Sequence, residues 1–184
     1  VPGFFVATLQ KKQMIQQTMS ILLLGGFLIM ASCSSTKKIP ETVAFVDLNK
    51  YSGKWYEIAS YPQRFQKGCE YTTAEYRLGE KEMVVVENRC KRNGKISSIQ
   101  GKASVVPNSG NAKLKVSFFW PFKGDYWIID LAEDYRYAVV SSPGQDYLWI
   151  LSRSPQMEED TLKEILERLK AKGFDLSKLQ YTRQ

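Results

Sequence analysis

Three cysteines and no histidine bound the chemistry open to this 184-residue chain. Without histidine there is no serine–histidine or cysteine–histidine dyad to activate a nucleophile, no mixed cysteine–histidine metal cluster and no haem-ligating imidazole. The acidic residues Glu57, Glu75, Glu87 and Asp130 offer no recognisable acid–base pair, and isolated strand carboxylates are more often ion-paired or solvent-facing. No glycine-rich phosphate cradle is present. Cys33 follows Ala31-Ser32 and an apolar run, a context for lipidation, whereas Cys69 and Cys90 form an even pair, a context for a disulfide in an exported domain. A reactive Cys69 is the alternative use of that thiol. The chain reads as a binding protein without cofactor or metal, not as an enzyme. Its elements must then supply a cavity.

Ahead of those elements lies an export signal. Lys11 and Lys12 precede the apolar run Ile21 to Met30, which is too short for a permanent span of roughly 20 residues. Ala31-Ser32-Cys33 resembles a bacterial lipobox with Met30 in place of the usual leucine, so residues 1–32 read as a lipoprotein signal peptide. Cys33 is then the site of acylation with palmitate-type chains. An ordinary signal cut near Ser32 is the alternative. Ser34 after the cysteine favours the outer membrane, periplasmic face, and residues 33–46 read as a lipidated N-terminus and polar tether before a domain over residues 47–184. Removing the signal leaves 24 basic against 19 acidic residues. With no block of like charge and no aromatic-interleaved basic stripe, nucleic acid is not an expected partner.

The domain itself divides into short runs rich in tyrosine, valine, isoleucine and phenylalanine, separated by turn signals such as Asn93-Gly94, Pro107-Asn108-Ser109-Gly110 and Pro143-Gly144. Eight strands are expected near 54–61, 69–78, 83–90, 98–106, 112–119, 125–131, 136–142 and 147–153. Such spacing suits an all-β, eight-stranded up-and-down antiparallel barrel. One helix follows, where Leu162, Ile165, Leu166 and Leu169 recur at helical spacing before Gly173, and its single apolar stripe predicts docking outside the barrel. A short strand near Lys178–Tyr181 completes the domain.

Three ordered motifs carry a resemblance. Gly53-x-Trp55-Tyr56, then Asp134-Tyr135-Arg136-Tyr137-Ala138-Val139-Val140, then Trp149-Ile150-Leu151-Ser152-Arg153 with a helix behind, resemble the lipocalins, in particular the bacterial and apolipoprotein D-like members. Gly53, Trp55, Tyr56 and Arg153 correspond to the family's structural motif, in which the guanidinium lies over the indole. The second motif departs from the family in reading Glu133-Asp134-Tyr135. The resemblance implies a barrel that holds one small apolar ligand; in bacterial members this means fatty acid or lysophospholipid at the outer membrane, for storage, transfer or membrane maintenance. An envelope enzyme acting on a lipophilic substrate and a scaffold with a filled barrel are the rival readings. No residue pattern selects between a monomer and a homodimer.

Alternation along the strands predicts the lining. A two-residue turn at Gly79-Glu80 pairs Leu78 with Lys81, Tyr76 with Met83, Ala74 with Val85, Thr72 with Glu87 and Glu70 with Arg89, and on the other face Arg77 with Glu82 and Cys69 with Cys90. This register turns Ala74, Tyr76, Met83 and Val85 inward. Hydrophobicity adds Ala103, Val105, Leu114, Val116 and Phe118. Family parity and hydrophobicity together add Tyr126, Ile128, Ala138, Val140, Tyr147 and Trp149. About a third of these are expected to be core packing. The loop 62–68 and the Trp120-Pro121-Phe122 turn lie at the mouth, where Phe119, Trp120 and Phe122 beside Lys123 suit either a membrane interface or a lid.

Overall fold

The strand runs close on themselves. The computed structural model describes residues 38–80 and 83–184. Cys33 and the expected signal, like Lys81 and Glu82, lie outside the described residues. A one-turn helix α1 (Leu48–Tyr51) leads into eight strands: β1 (Gly53–Ser60), β2 (Glu70–Leu78), β3 (Met83–Arg92), β4 (Lys95–Val105), β5 (Lys113–Ser117), β6 (Gly124–Leu131), β7 (Tyr137–Ser141) and β8 (Leu148–Ser152). Each pairs antiparallel with the next, and β1 pairs with both β2 and β8, so the eight-stranded up-and-down barrel is closed and its main sheet edges are used internally. Helix α2 (Glu159–Ala171) follows, and β9 (Gln180–Tyr181) pairs with the far end of β1.

The Gly53-x-Trp55 motif and Arg153 plug one end. Trp55 is fully buried, and its indole N–H donates to Tyr51 O at 2.8 Å, fixing the ring beneath α1. The Arg153 guanidinium lies 3.8 Å from the Trp55 ring centre and donates to Lys50 O (2.6 Å), Ser52 O (2.9 Å) and Lys54 O (2.9 Å). Gly53 has φ +96°, and a Cβ there would meet Arg153 Nη1 at 3.4 Å. Glycine thus admits both the turn and the arginine.

Two apolar layers share the barrel wall. Inside, Trp55, Tyr76, Val84, Val86, Leu114, Ile128 and Val140 pack together; outside, Ile129, Val139 and Ile150 of the alternate strand positions meet Ile165 and Leu169 of α2. The stripe expected on the helix docks on the outer wall. Arg168 reinforces it by donating to Asp130 Oδ2 (2.7 Å) and Tyr137 OH (2.9 Å). Val43 N and Val46 N donate to Ile128 O and Gly110 O at 3.0 and 2.8 Å, so residues 43–46, expected as tether, are part of the packed domain.

The β2–β3 register differs from the expected one. Leu78 pairs with Val84, Tyr76 with Val86 and Ala74 with Asn88, because the connection is longer than the two-residue turn and Gly79 N donates instead to Met83 O at 2.7 Å. The slip is odd, so it exchanges the faces of β3. Val84 and Val86 enter the core, while Met83 and Val85 stand on the other face, a correction to both. Four consecutive apolar residues, Met83 to Val86, carry no alternation from which the face can be read. The expected Glu70–Arg89 pairing falls with that register: Arg89 and Arg77 both reach Glu87, and Arg183 pairs with Glu70, while Glu82, the expected partner of Arg77, lies outside the described residues. Cys69 and Cys90 are nevertheless bonded, 5.4 Å apart at Cα, next to a bulge between Glu70 and Thr73 that changes the register at the mouth end of β2, with Tyr71 at φ 51°.

Replacing Arg153 by alanine removes three hydrogen bonds and the indole stack and should lower stability by about 2 kcal/mol. Urea unfolding checks this as a lower midpoint at unchanged slope; a midpoint equal to the parent's would contradict the plug.

Candidate functional site

Above the plug the barrel is hollow. A cavity of about 850 Å³ opens between the β1–β2, β5–β6 and β7–β8 loops, the end expected as the mouth. Seven of the residues expected to line it do so: Ala74, Tyr76, Val116, Phe118, Tyr126, Tyr147 and Trp149. Ala103, Leu114, Ile128, Ala138 and Val140 also face the barrel interior but are buried lower down, in the packed half, with Val105 half-buried against them. They are core residues and not cavity wall. Parity gives the face a residue occupies, not its depth along the barrel axis. Met83 and Val85 are absent from the lining for the register reason given above.

The floor is a chain of phenols. Tyr126 OH lies 2.7 Å from Tyr51 OH and 2.8 Å from Tyr76 OH, so α1, β2 and β6 meet at three hydroxyls that satisfy one another. Burial pushes the Tyr76 phenol up to about 12. Burial drives Tyr51 and Tyr126 well above their ordinary value, with both neighbouring phenols adding to the rise at Tyr126 and Tyr76 adding to it at Tyr51, where the Tyr126 hydrogen bond and Arg153 oppose it. All three are therefore neutral donors and acceptors at physiological pH. On one side of the cavity Trp149 stacks on Tyr147 at 5.7 Å between ring centres. On another Phe118 packs closely on Gly101, where a Cβ would come within 2.7 Å of the ring. That close approach is what the glycine permits.

A polar wall faces these aromatics, and sequence reading did not anticipate it. Glu57, Gln66, Thr72 and Asn88 line the cavity beside Ala74. Glu57 is buried, accepting from Ser60 Oγ (3.0 Å), Thr182 Oγ1 (2.6 Å) and Gln66 Nε2 (2.7 Å). Trp149 Nε1 makes a long bond to Gln66 Oε1 at 3.4 Å, so one amide connects the polar wall to the aromatic one. The signal for Glu57 was its place two residues after Trp55 on the same strand face. Its charge had argued the other way.

Around the opening, Phe65, Phe119, Trp120 and Phe122 are 62, 68, 90 and 76% exposed, and Lys123 lines the cavity beside them. The loop that carries Phe65 and Gln66 is held from below by the Cys69–Cys90 disulfide and by Arg92 Nη2, which donates to Phe65 O at 2.7 Å.

The comparisons agree with this geometry. Residues 46–184 match the family described as a lipocalin-like domain. The chain is 43% identical over 157 residues to temperature-induced lipocalin-1 of Arabidopsis thaliana, covering 80% of this chain and 84% of that protein. It is 38% identical over 168 residues to outer membrane lipoprotein Blc of Vibrio cholerae, covering 90% of this chain and 98% of that one. Among solved structures, insecticyanin from the tobacco hornworm Manduca sexta superposes with a TM-score of 0.66 at 24% identity, over 80% of this chain and 84% of its own, a likeness of fold.

The raised phenols fix the alkaline behaviour. A group that holds its proton more tightly when folded contributes stability that is intact below its unfolded value and lost as pH rises through the folded one. Stability to urea should therefore fall between pH 10 and about 12, the Tyr76 value, more steeply than in a Tyr76→Phe/Tyr126→Phe variant. Tyrosinate absorbance followed with the denaturation curve checks this; ionisation of every tyrosine near pH 10 in a still-folded protein would contradict it.

Proposed function

We propose that this chain, which belongs to the lipocalin family, carries one fatty acid or lysophospholipid in its cavity at the bacterial outer membrane, for storage, transfer or membrane maintenance. The observation that carries the reading is the cavity itself: about 850 Å³ left open above a closed floor, lined by Val86, Val116, Phe118, Tyr147 and Trp149. A space of that size is within the range of ligand sites, and a wall of this kind gains from burying an alkyl chain without directing its chemistry. A filled scaffold barrel would leave no such volume.

The rim supports delivery to or from a bilayer. Exposed Phe119, Trp120 and Phe122 with Lys123 beside them combine aromatic side chains suited to the interfacial zone with a cation for anionic head groups. Acylation at Cys33 would hold the protein at the membrane while the rim engages it, with the outer membrane's periplasmic face as its place. The relative in Vibrio cholerae, described as an outer membrane lipoprotein, supports this placement. Binding of this sort requires no turnover of the ligand.

The test is tryptophan fluorescence of the whole protein titrated with palmitate and with 1-palmitoyl lysophosphatidylcholine. Saturable one-to-one binding of at least one is expected, weakened about tenfold or more by Trp149→Ala, which removes a large wall side chain. Hydrolysis of the lipid, or no saturable response to either, would overturn the proposal.

A further inference from the structure

The barrel wall changes its make-up between the plug and the mouth. Near the plug β1 pairs directly with β2, from Gly53 with Tyr76 to Tyr56 with Thr73. Continued, that register would set Ile58 opposite Tyr71, but above Tyr56 the two strands part. Ala59 and Ser60 pair on one side with Ile150 and Trp149 of β8, and on the other with Tyr181 and Gln180 of β9. Ile58 O accepts from Thr182 N at 2.9 Å, and Tyr71 N on β2 donates to Arg183 O at 2.7 Å. Gln184 spans the seam, its Nε2 donating to Glu57 O on β1 (2.7 Å) and to Thr72 O on β2 (2.8 Å).

Residues 180–184 therefore stand between β1 and β2 as a ninth stave. They do so at the level of the cavity, which Glu57 and Thr72 line. Barrel diameter grows with strand number and neighbouring strands lie about 4.8 Å apart, so one inserted stave adds about 5 Å to the girth of the upper wall while the plug end keeps eight. The stave is held by polar contacts: besides the bonds above, Thr182 Oγ1 donates to Glu57 Oε1 (2.6 Å), and the Arg183 guanidinium lies 5.9 Å from the Tyr71 ring centre. Tyr181 is exposed, and the last side chain packed against the outer apolar cluster is Leu179. A wall segment with so little buried apolar contact is separable from the core.

Resting on the lipid-carrying reading above, we infer that residues 180–184 set the girth of the ligand cavity, and so the cross-section of the ligand it admits, with Thr182 and Gln184 as the positioning residues. With the stave in place, the cavity takes a chain that carries a bulky group along its length. Without it, Ile58 O and Tyr71 N lose their partners, and backbone groups in a wall must pair. They then bond to each other, β1 and β2 join along their whole length, and the upper barrel closes to eight strands around a slender chain. Thickness at mid-chain, not the polar head, is what this segment controls.

Two variants test this: the chain ended after Leu179, which keeps the last packed side chain, and the whole chain with Thr182→Pro, which removes the N–H that bonds Ile58 O. Each is titrated with stearate and with 12-(9-anthroyloxy)stearate, one chain without and with a tricyclic side group. The parent should bind both. In the shortened chain the anthroyloxy probe should weaken about tenfold or more while stearate stays within about twofold, and Thr182→Pro should move the pair in the same direction. Equal loss of both ligands, undiminished binding of the bulky one, or its rejection by the parent would each overturn the inference. If the shortened chain does not fold, Thr182→Pro decides the binding arm. Amide exchange followed by NMR needs no ligand: Tyr71 N–H should remain protected in the shortened chain, with Ile58 O replacing Arg183 O, and its loss of protection would show that the seam stays open and overturn the closure. Failure of both ligands to bind the parent would overturn the lipid-carrying reading, and Tyr71 exchange would still decide whether the stave holds the strands apart.

Discussion

The stacking of Arg153 on Trp55 is the contact on which the rest of the molecule depends. It joins the end of the last barrel strand to the start of the first, and its donors satisfy the carbonyls where the chain turns from α1 into β1. A barrel of eight strands encloses an interior that side chains can fill or that can hold one small ligand. Closing one end with an indole, a tyrosine and a guanidinium lets the other remain hollow. The half below the phenol chain is packed by Ile128, Leu114 and Val140; the half above it is wall around empty space.

Two unlike walls give that space its character. Trp149, Tyr147 and Phe118 offer broad, non-directional contact for a chain. Glu57, Thr72 and Asn88 form a polar side, and Gln66 connects the two by bonding both Glu57 and Trp149. Gln66 sits on the loop held by the disulfide and by Arg92, so the position of the polar wall is tied to the covalent geometry of the mouth. A side chain far from the plug is thereby connected to a bond near the rim.

Most of the architecture was legible because it repeats. Alternation and turn residues located the eight strands, the Leu162–Leu169 stripe located α2, and glycine, tryptophan and arginine at the two ends of the strand series marked the plug. What escaped did so for physical reasons. Met83-Val84-Val85-Val86 has no polar residue to declare a face, so the length of the preceding connection decided it. Ala103, Leu114, Ile128, Ala138 and Val140 were correctly turned inward, yet depth along the barrel is set by strand tilt and stagger, which composition does not record. Glu57 was on the right face for the cavity but of the wrong polarity for a core. Only the convergence of Ser60, Gln66 and Thr182, up to 125 residues apart in sequence, makes its burial tolerable.

Native mass spectrometry of the whole protein, isolated from its cells without added lipid, tests most directly that the hollow half of the barrel exists to hold one acyl lipid. The account predicts a population heavier than the polypeptide, with any covalently attached acyl chains counted, by one acyl lipid that dissociates on activation. A protein that emerges wholly empty, and stays empty when lipid is supplied, would contradict it.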